Sequence, residues 1–197
     1  MIMEDSQVLR AIQGRRSARE FLDTPVEMAA VRRIIEAGRL AASGANRQPW
    51  HFVVVDDTAI KHNLRLICEQ AEREYYERAD EDLKEWFVDH SIGPSKPFLE
   101  TAPVLIAAFF DPHAPYAIPS VWIAIANMLL QATEEGLYSL PYTPSGAKLG
   151  PELGVPEGYS VAALLPIGHA TRPARQPRLP LSQVTSLNRY GVPFLPD

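Results

Sequence analysis

The chain has 197 residues, 46% of them apolar, and a formal net charge of −5. Those values suit a single domain able to bury its own core, and the acidic balance argues against general nucleic-acid binding, which needs an extended basic surface. One cysteine, Cys68, excludes an internal disulfide framework, and no Cys/His cluster has metal-ligand spacing. Neither the polar, acidic start MIMEDSQVLR nor any later run reads as a signal peptide or as the roughly 20 apolar residues of a membrane span, so the expected setting is the cytoplasm.

In chain order, a short helix opens after Ser6, carries Val8, Leu9 and Ile12 on one face and stops at Gly14, which suits a left-handed C-cap. Gly14-Arg15-Arg16-Ser17-Ala18-Arg19 lies in the turn beyond. Thr24-Pro25-Val26-Glu27 has the form of a capping box with proline at the first helical position, opening a helix through Val31, Ile34, Ile35 and Leu40. A loop at Ser43-Gly44-Ala45-Asn46 leads to a buried strand, His51–Val55, and a long polar helix from Thr58 to about Ala79. Asp80 to Thr101 is charged, carries Trp86 and Phe87 and is broken by Gly93-Pro94 and Pro97; it reads as a lid or binding loop, with disorder as the rival.

Val104–Phe110 reads as a strand covered on both faces. Pro119–Glu135 is apolar all round until Gly136 and suits a central or subunit-interface helix. Further strands are expected at Leu137–Tyr142 and Tyr159–Ile167, and the proline-rich, basic stretch after His169 reads as an extended arm. Helices outnumber strands and no internal repeat is visible, which gives an α+β class, as a three-layer α/β/α domain.

Two segments carry chemistry. Three arginines and a serine within six residues can cradle a phosphate, the arginines through paired N–H donors; the same turn could also be a solvated basic patch, or be paired with Asp5 and Glu20. Ser43-Gly44-Ala45-Asn46-Arg47-Gln48-Pro49-Trp50 could read the edge of a heterocycle, or could be a capped loop anchored by Trp50.

Taken together, RRSAR, then SGANRQPWHF, then LGVPEGYSVAALLPIGHATRPA resemble the nitroreductase family of FMN-dependent flavoproteins over nearly the whole chain. Ala42 stands where that family usually has proline. The resemblance implies a nitroreductase-like fold with a mainly antiparallel sheet, long interface helices and a C-terminal arm (170–197) packed on the partner of a homodimer. It implies FMN held by Arg15, Arg16, Ser17, Arg19, Ser43, Gly44 and Asn46, and a small aromatic substrate reduced with electrons from NAD(P)H or another reductant. No GxGxxG fingerprint is present, so no Rossmann site is expected.

A narrower likeness is to the iodotyrosine deiodinase branch. Glu72 and Tyr76 are four apart on one helix face, and Lys96 follows in KPFLETAP. In that branch such residues form a substrate lid, here 72–100, gripping the zwitterion of a halotyrosine; a carboxylate suits the ammonium, and a lysine with a phenol suits the carboxylate. The same residues could equally be a solvated helix face. The likeness further implies Pro141, Tyr142 and Thr143 at the flavin, with Thr143 facing N5 as the one catalytic side chain, Arg178 at the FMN phosphate and the Ala45 N–H at the substrate phenolate. The spacing from Tyr76 to Lys96 is one residue short of that branch, and Pro141-Tyr142 departs from its threonines, Tyr142-Thr143-Pro144 standing where it has Thr-Thr-Pro. Three activities stay open: reductive dehalogenation of a halotyrosine-like compound, a broad NAD(P)H-dependent nitro or quinone reductase, and a flavin-binding protein without turnover.

Overall fold

The structure is a computed structural model that describes residues 6–89, 92–144, 146–171 and 173–194. The architecture is organised around β2 (Val104–Phe110), every residue of which is buried. Side chains alternate across a strand, so one apolar run serves two faces. Val104, Ile106, Ala108 and Phe110 pack with α2 (Met28–Arg39) and α6 (Ala117–Glu134), through Val31, Ile34, Val121, Ile125 and Met128. Leu105, Ala107 and Phe109 pack with Leu64 and Cys68 of α3 (Thr58–Arg78) and with Phe98 and Leu99 of α5 (Phe98–Thr101).

β1 (Trp50–Val55) and β3 (Ser160–Ile167) flank β2, both antiparallel, in the order β1-β2-β3. Trp50 lies opposite Phe110, Val104 opposite Ile167, and a bulge falls between Ala108 and Phe109. Helices on both faces make the expected α/β/α layering. α1 (Gln7–Gly14) packs on α6, α4 (Glu81–Asp89) follows α3, and a single turn, α7 (Leu181–Val184), interrupts the C-terminal segment.

Ser6 caps α1 by accepting the Leu9 N–H at 3.1 Å, as expected. Gly14 ends α1 without a positive φ, because the chain leaves through an extended Arg15 instead. The Thr24 capping box does not form: α2 starts at Met28 behind an extended Glu27 that makes no side-chain cap. Of the segment 80–101, the described part is largely helical, in α4 and α5; residues 90 and 91 of the expected lid lie outside the described residues, as do 172 and 195–197 of the expected arm and Asp5.

Residues 137–142 form no regular strand. Tyr138 bridges Gly168 and Tyr142 bridges Leu164, but between Leu164 of β3 and Gly168 just beyond it sits Pro166. Proline has no N–H to give, so the ladder is interrupted where it would have to be continuous. α6 is not buried all round: Ile118, Trp122 and Ile123 face outward. Gly136 does close it, with φ +70.

Gly168 is required by space. A Cβ there would lie 2.7 Å from Pro103 Cδ and 2.9 Å from Phe21 Cδ1. Gly168→Ala is therefore expected to destabilise the fold by about 1–3 kcal/mol, read from the urea unfolding midpoint.

Candidate active site

The turn after α1 is hung from two other segments. Ser17 bridges Ser139, the Ala18 N–H donates to Ser139 O at 3.4 Å, and the Leu22 N–H donates to His169 O at 2.8 Å. With Ala18 buried at the anchor, its neighbours face a cleft of about 360 Å³ whose lining includes Arg15, Arg16, Ser17, Arg19, Arg175 and Arg178. Arg15 reaches Ser17 Oγ at 3.5 Å, and Arg16 donates to Gln13 O at 2.6 Å and Arg15 O at 2.8 Å. Among the described residues none of these arginines pairs with a carboxylate, so Glu20 does not neutralise them. Burial, and then the charges of Arg178 and Arg16, hold the Arg15 guanidinium below its ordinary pKa. Ser139 Oγ, on the strip paired with Ser17, is buried without a hydrogen-bond partner among the described residues. Mutually repelling cations lining one cleft are the surroundings an anionic ligand would satisfy.

The loop between α2 and β1 is tightly specified. Ser43 Oγ accepts the Gln48 N–H at 3.0 Å, and the Gly44 N–H donates to Ser120 Oγ at 3.1 Å, which itself donates to Tyr116 O at 2.6 Å. Ala45, Asn46 and Gln48 have φ of 48, 54 and 47, and Tyr116 has 55. Left-handed backbone at non-glycine residues costs about 1 kcal/mol or more each and persists only where surroundings over-determine it. Ser43, Gly44 and Asn46 do not line the arginine cleft of the same chain.

The third cluster is built on α3. Its inward stripe carries Lys61, Leu64, Cys68, Glu69 and Glu72, so three charged side chains are buried along one helix face. Lys61 Nζ is satisfied by the carbonyls of Ala102, at 2.7 Å, and Pro103, at 3.1 Å. Glu72 and Lys96 are paired at 3.7 Å and are 4% and 7% exposed. Lys96 Nζ also donates to Gly93 O, and it lies 5.9 Å over the Tyr76 ring. Glu72, Tyr76 and Lys96 thus lie together in the fold, the grouping that the deiodinase likeness implies. Burial and then Glu72 push the Tyr76 phenol up to about 12, and burial pulls the Lys96 ammonium down against the raising effect of Glu72. Arg19 is near enough to lower Lys96 further, which joins this cluster to the arginine turn.

Tyr142 belongs to the same cluster: its hydroxyl donates to Glu72 Oε1 at 2.8 Å. Its neighbour Pro141 is half-buried, and Thr143 is exposed.

The sequence profile of the nitroreductase family matches residues 12–169. The chain belongs to the nitroreductase family. Within it, the iodotyrosine deiodinase of Thermotoga neapolitana is 37% identical over 153 residues, covering 77% of this chain and 80% of the relative. Iodotyrosine deiodinase 1 of Rattus norvegicus is 34% identical over 196 residues, covering 91% and 67%. A crystal structure of oxidized iodotyrosine deiodinase bound to FMN and 3-iodo-L-tyrosine superposes with a TM-score of 0.84 at 31% identity, covering 94% of this chain and all of that one.

Several residues around this nitroreductase-family site escaped the sequence reading. Glu69 Oε1 accepts the Lys96 backbone N–H at 2.8 Å, while Arg65 holds Glu69 Oε2 at 3.0 Å and Glu100 Oε2 at 2.6 Å, tying the approach to α5 onto α3. Phe87 of α4 meets the Tyr76 ring edge-on at 4.4 Å. Glu69 lies three residues before Glu72, so the helical period could have flagged it; Phe87 and Arg175 gave no such signal.

Cys68 is fully buried, and burial pushes its thiol up to about 12. Because the folded value lies above the ordinary one near 9, the stability linked to it is present below about pH 9 and is lost as pH rises toward 12. The native protein is expected to give no thiol reaction with Ellman reagent at about pH 8, and one thiol per chain in denaturant.

Proposed function

We propose that this chain is an FMN-dependent oxidoreductase that reductively removes halogen from a halotyrosine-like substrate. The observation that carries this reading is the buried pairing of Glu72 with Lys96 beside Tyr76, next to an arginine cleft that suits a phosphate. The cleft fits FMN by its unneutralised arginines and by the Ser17 hydroxyl among them. Once bound and reduced, FMN would supply the two electrons that, with one proton, convert an aryl halide into the arene and a halide ion.

The protein's own part is binding and orientation. Arg15, Arg16, Ser17 and Arg19 hold the phosphate, ribityl chain and pyrimidine edge of the cofactor, Arg178 reaches its phosphate, and Ser43, Gly44, Asn46, Pro141 and Thr143 meet the rest, with the Thr143 hydroxyl facing the ring edge. Glu72 takes the substrate ammonium, while Lys96 and the Tyr76 hydroxyl take its carboxylate. An internal ion pair is thereby exchanged for two pairs to a zwitterion, so no buried charge is left alone. The Ala45 N–H meets the substrate phenolate, in a loop whose backbone is left-handed at Ala45, Asn46 and Gln48.

The working unit is a homodimer. Supporting this, the Ser43–Asn46 loop and the arginines do not share a cleft within one chain, Val8, Ile12, Leu40, Ile118, Trp122 and Ile123 are exposed on α1, α2 and α6, and Leu181, Val184 and Tyr190 stand out from the C-terminal arm (170–197). Residues 72–100 act as the lid. NAD(P)H or an equivalent reductant recharges the flavin. No helix among the described residues is long and apolar enough to cross a membrane; a reducing cytoplasm suits the single buried thiol.

Two substitutions separate the halves of the site. Arg15→Ala is expected to weaken FMN binding roughly 10- to 100-fold, the worth of a lost charge-assisted hydrogen bond, as followed by flavin fluorescence. Lys96→Met is expected to weaken 3-iodo-L-tyrosine binding by a similar roughly 10- to 100-fold while FMN stays bound. A wild-type holoprotein that reduces nitroaromatics but neither binds iodotyrosine nor releases iodide from it would overturn the dehalogenase reading.

A further inference from the structure

The resemblance places Tyr142 at the flavin, yet its hydroxyl is spent elsewhere. It donates to Glu72 Oε1 at 2.8 Å, and the two residues are 8% and 4% exposed. The other carboxylate oxygen, Oε2, is the one facing Lys96 at 3.7 Å. Lys96 Nζ stands 5.8 Å over the Tyr142 ring and 5.9 Å over the Tyr76 ring, so the ammonium is bracketed by two phenols.

The phenol is also held in place from behind. The Tyr142 N–H donates to Leu164 O at 2.9 Å and the Leu164 N–H returns to Tyr142 O at 2.8 Å, fixing its backbone to β3. Phe98 meets the ring edge-on at 5.8 Å. Burial, with Cys68 and Glu72 beside it, raises the phenol pKa, so the hydroxyl keeps its proton and remains a donor.

We infer that Tyr142 is a positioning residue that sets substrate specificity: its hydroxyl fixes Glu72 so that one carboxylate oxygen is offered to the ammonium of an amino acid substrate. Glu72 sits on α3 and Tyr142 at the edge of β3, so this bond ties the substrate-gripping helix to the sheet. An aryl halide without an ammonium gains nothing from that arrangement. The selectivity for an amino acid over a bare phenol then passes through Tyr142, although Tyr142 touches neither charge of the substrate. The inference rests on the halotyrosine reading above.

The test compares affinities of the FMN-loaded protein for 3-iodo-L-tyrosine and 2-iodophenol, in wild type and Tyr142→Phe. The ratio of the two affinities is expected to fall about tenfold in Tyr142→Phe, the scale of one hydrogen bond to a charged group. In a Glu72→Gln background the same substitution is expected to leave the ratio where Glu72→Gln put it, because the two act as one unit. A ratio unchanged by Tyr142→Phe, or strictly additive losses in the double variant, overturns the assignment while leaving the halotyrosine reading intact. A wild type that does not distinguish the two compounds overturns both. A purely structural role for Tyr142 would weaken both compounds alike. Should Tyr142→Phe fail to load FMN, Tyr142→Thr carries the same ratio measurement.

Discussion

Neither Glu72 nor Lys96 could be withdrawn from water alone. An isolated buried charge costs several kcal/mol, and mutual attraction offsets that only when hydrogen bonds satisfy the remaining atoms. Around this pair the fold supplies them: a phenol for one carboxylate oxygen, a backbone carbonyl for the ammonium, and a second buried carboxylate, Glu69, for the lysine's own N–H. Those donors and acceptors come from α3, from the stretch before α5 and from the edge of β3, so the pair exists only once sheet and helices are in place. Much of the surrounding structure is arranged to make this one burial tolerable.

The arginine turn poses the opposite problem. There the charges are of one sign, on an acidic protein with carboxylates in excess, and still none is brought to them among the described residues. Surface ion pairs form readily elsewhere, as between Arg33 and Glu135 at 2.6 Å. Leaving the turn uncompensated costs folding stability and is recovered on binding an anion, which links cofactor retention to the stability of the whole domain.

How much was legible depended on how local each cause was. β2 could be read to the residue, because a run of seven apolar side chains bounded by proline and aspartate has few other fates. Helical spacing put Glu72 and Tyr76 on one face, while Lys96 was placed with them only by the likeness to the deiodinase branch. The strand expected at 137–142 does not form because its pairing fails at Pro166, a residue remote in sequence, and α6 reads as fully buried because its outward residues are as apolar as its inward ones. The likeness put Tyr142 at the flavin, but no periodicity reports that its hydroxyl reaches across to Glu72 on α3.

Gly44 and Tyr116 illustrate a constraint of another kind. A Cβ at Gly44 would lie 2.6 Å from the Tyr116 ring, and Tyr116 itself holds a left-handed conformation at the mouth of α6. Neither position can drift by itself: a larger residue at 44 needs the ring gone from 116, and an ordinary backbone at 116 would move the ring off 44. The two should be inherited as a unit, so a homologue that has lost the one is expected to have rebuilt the other.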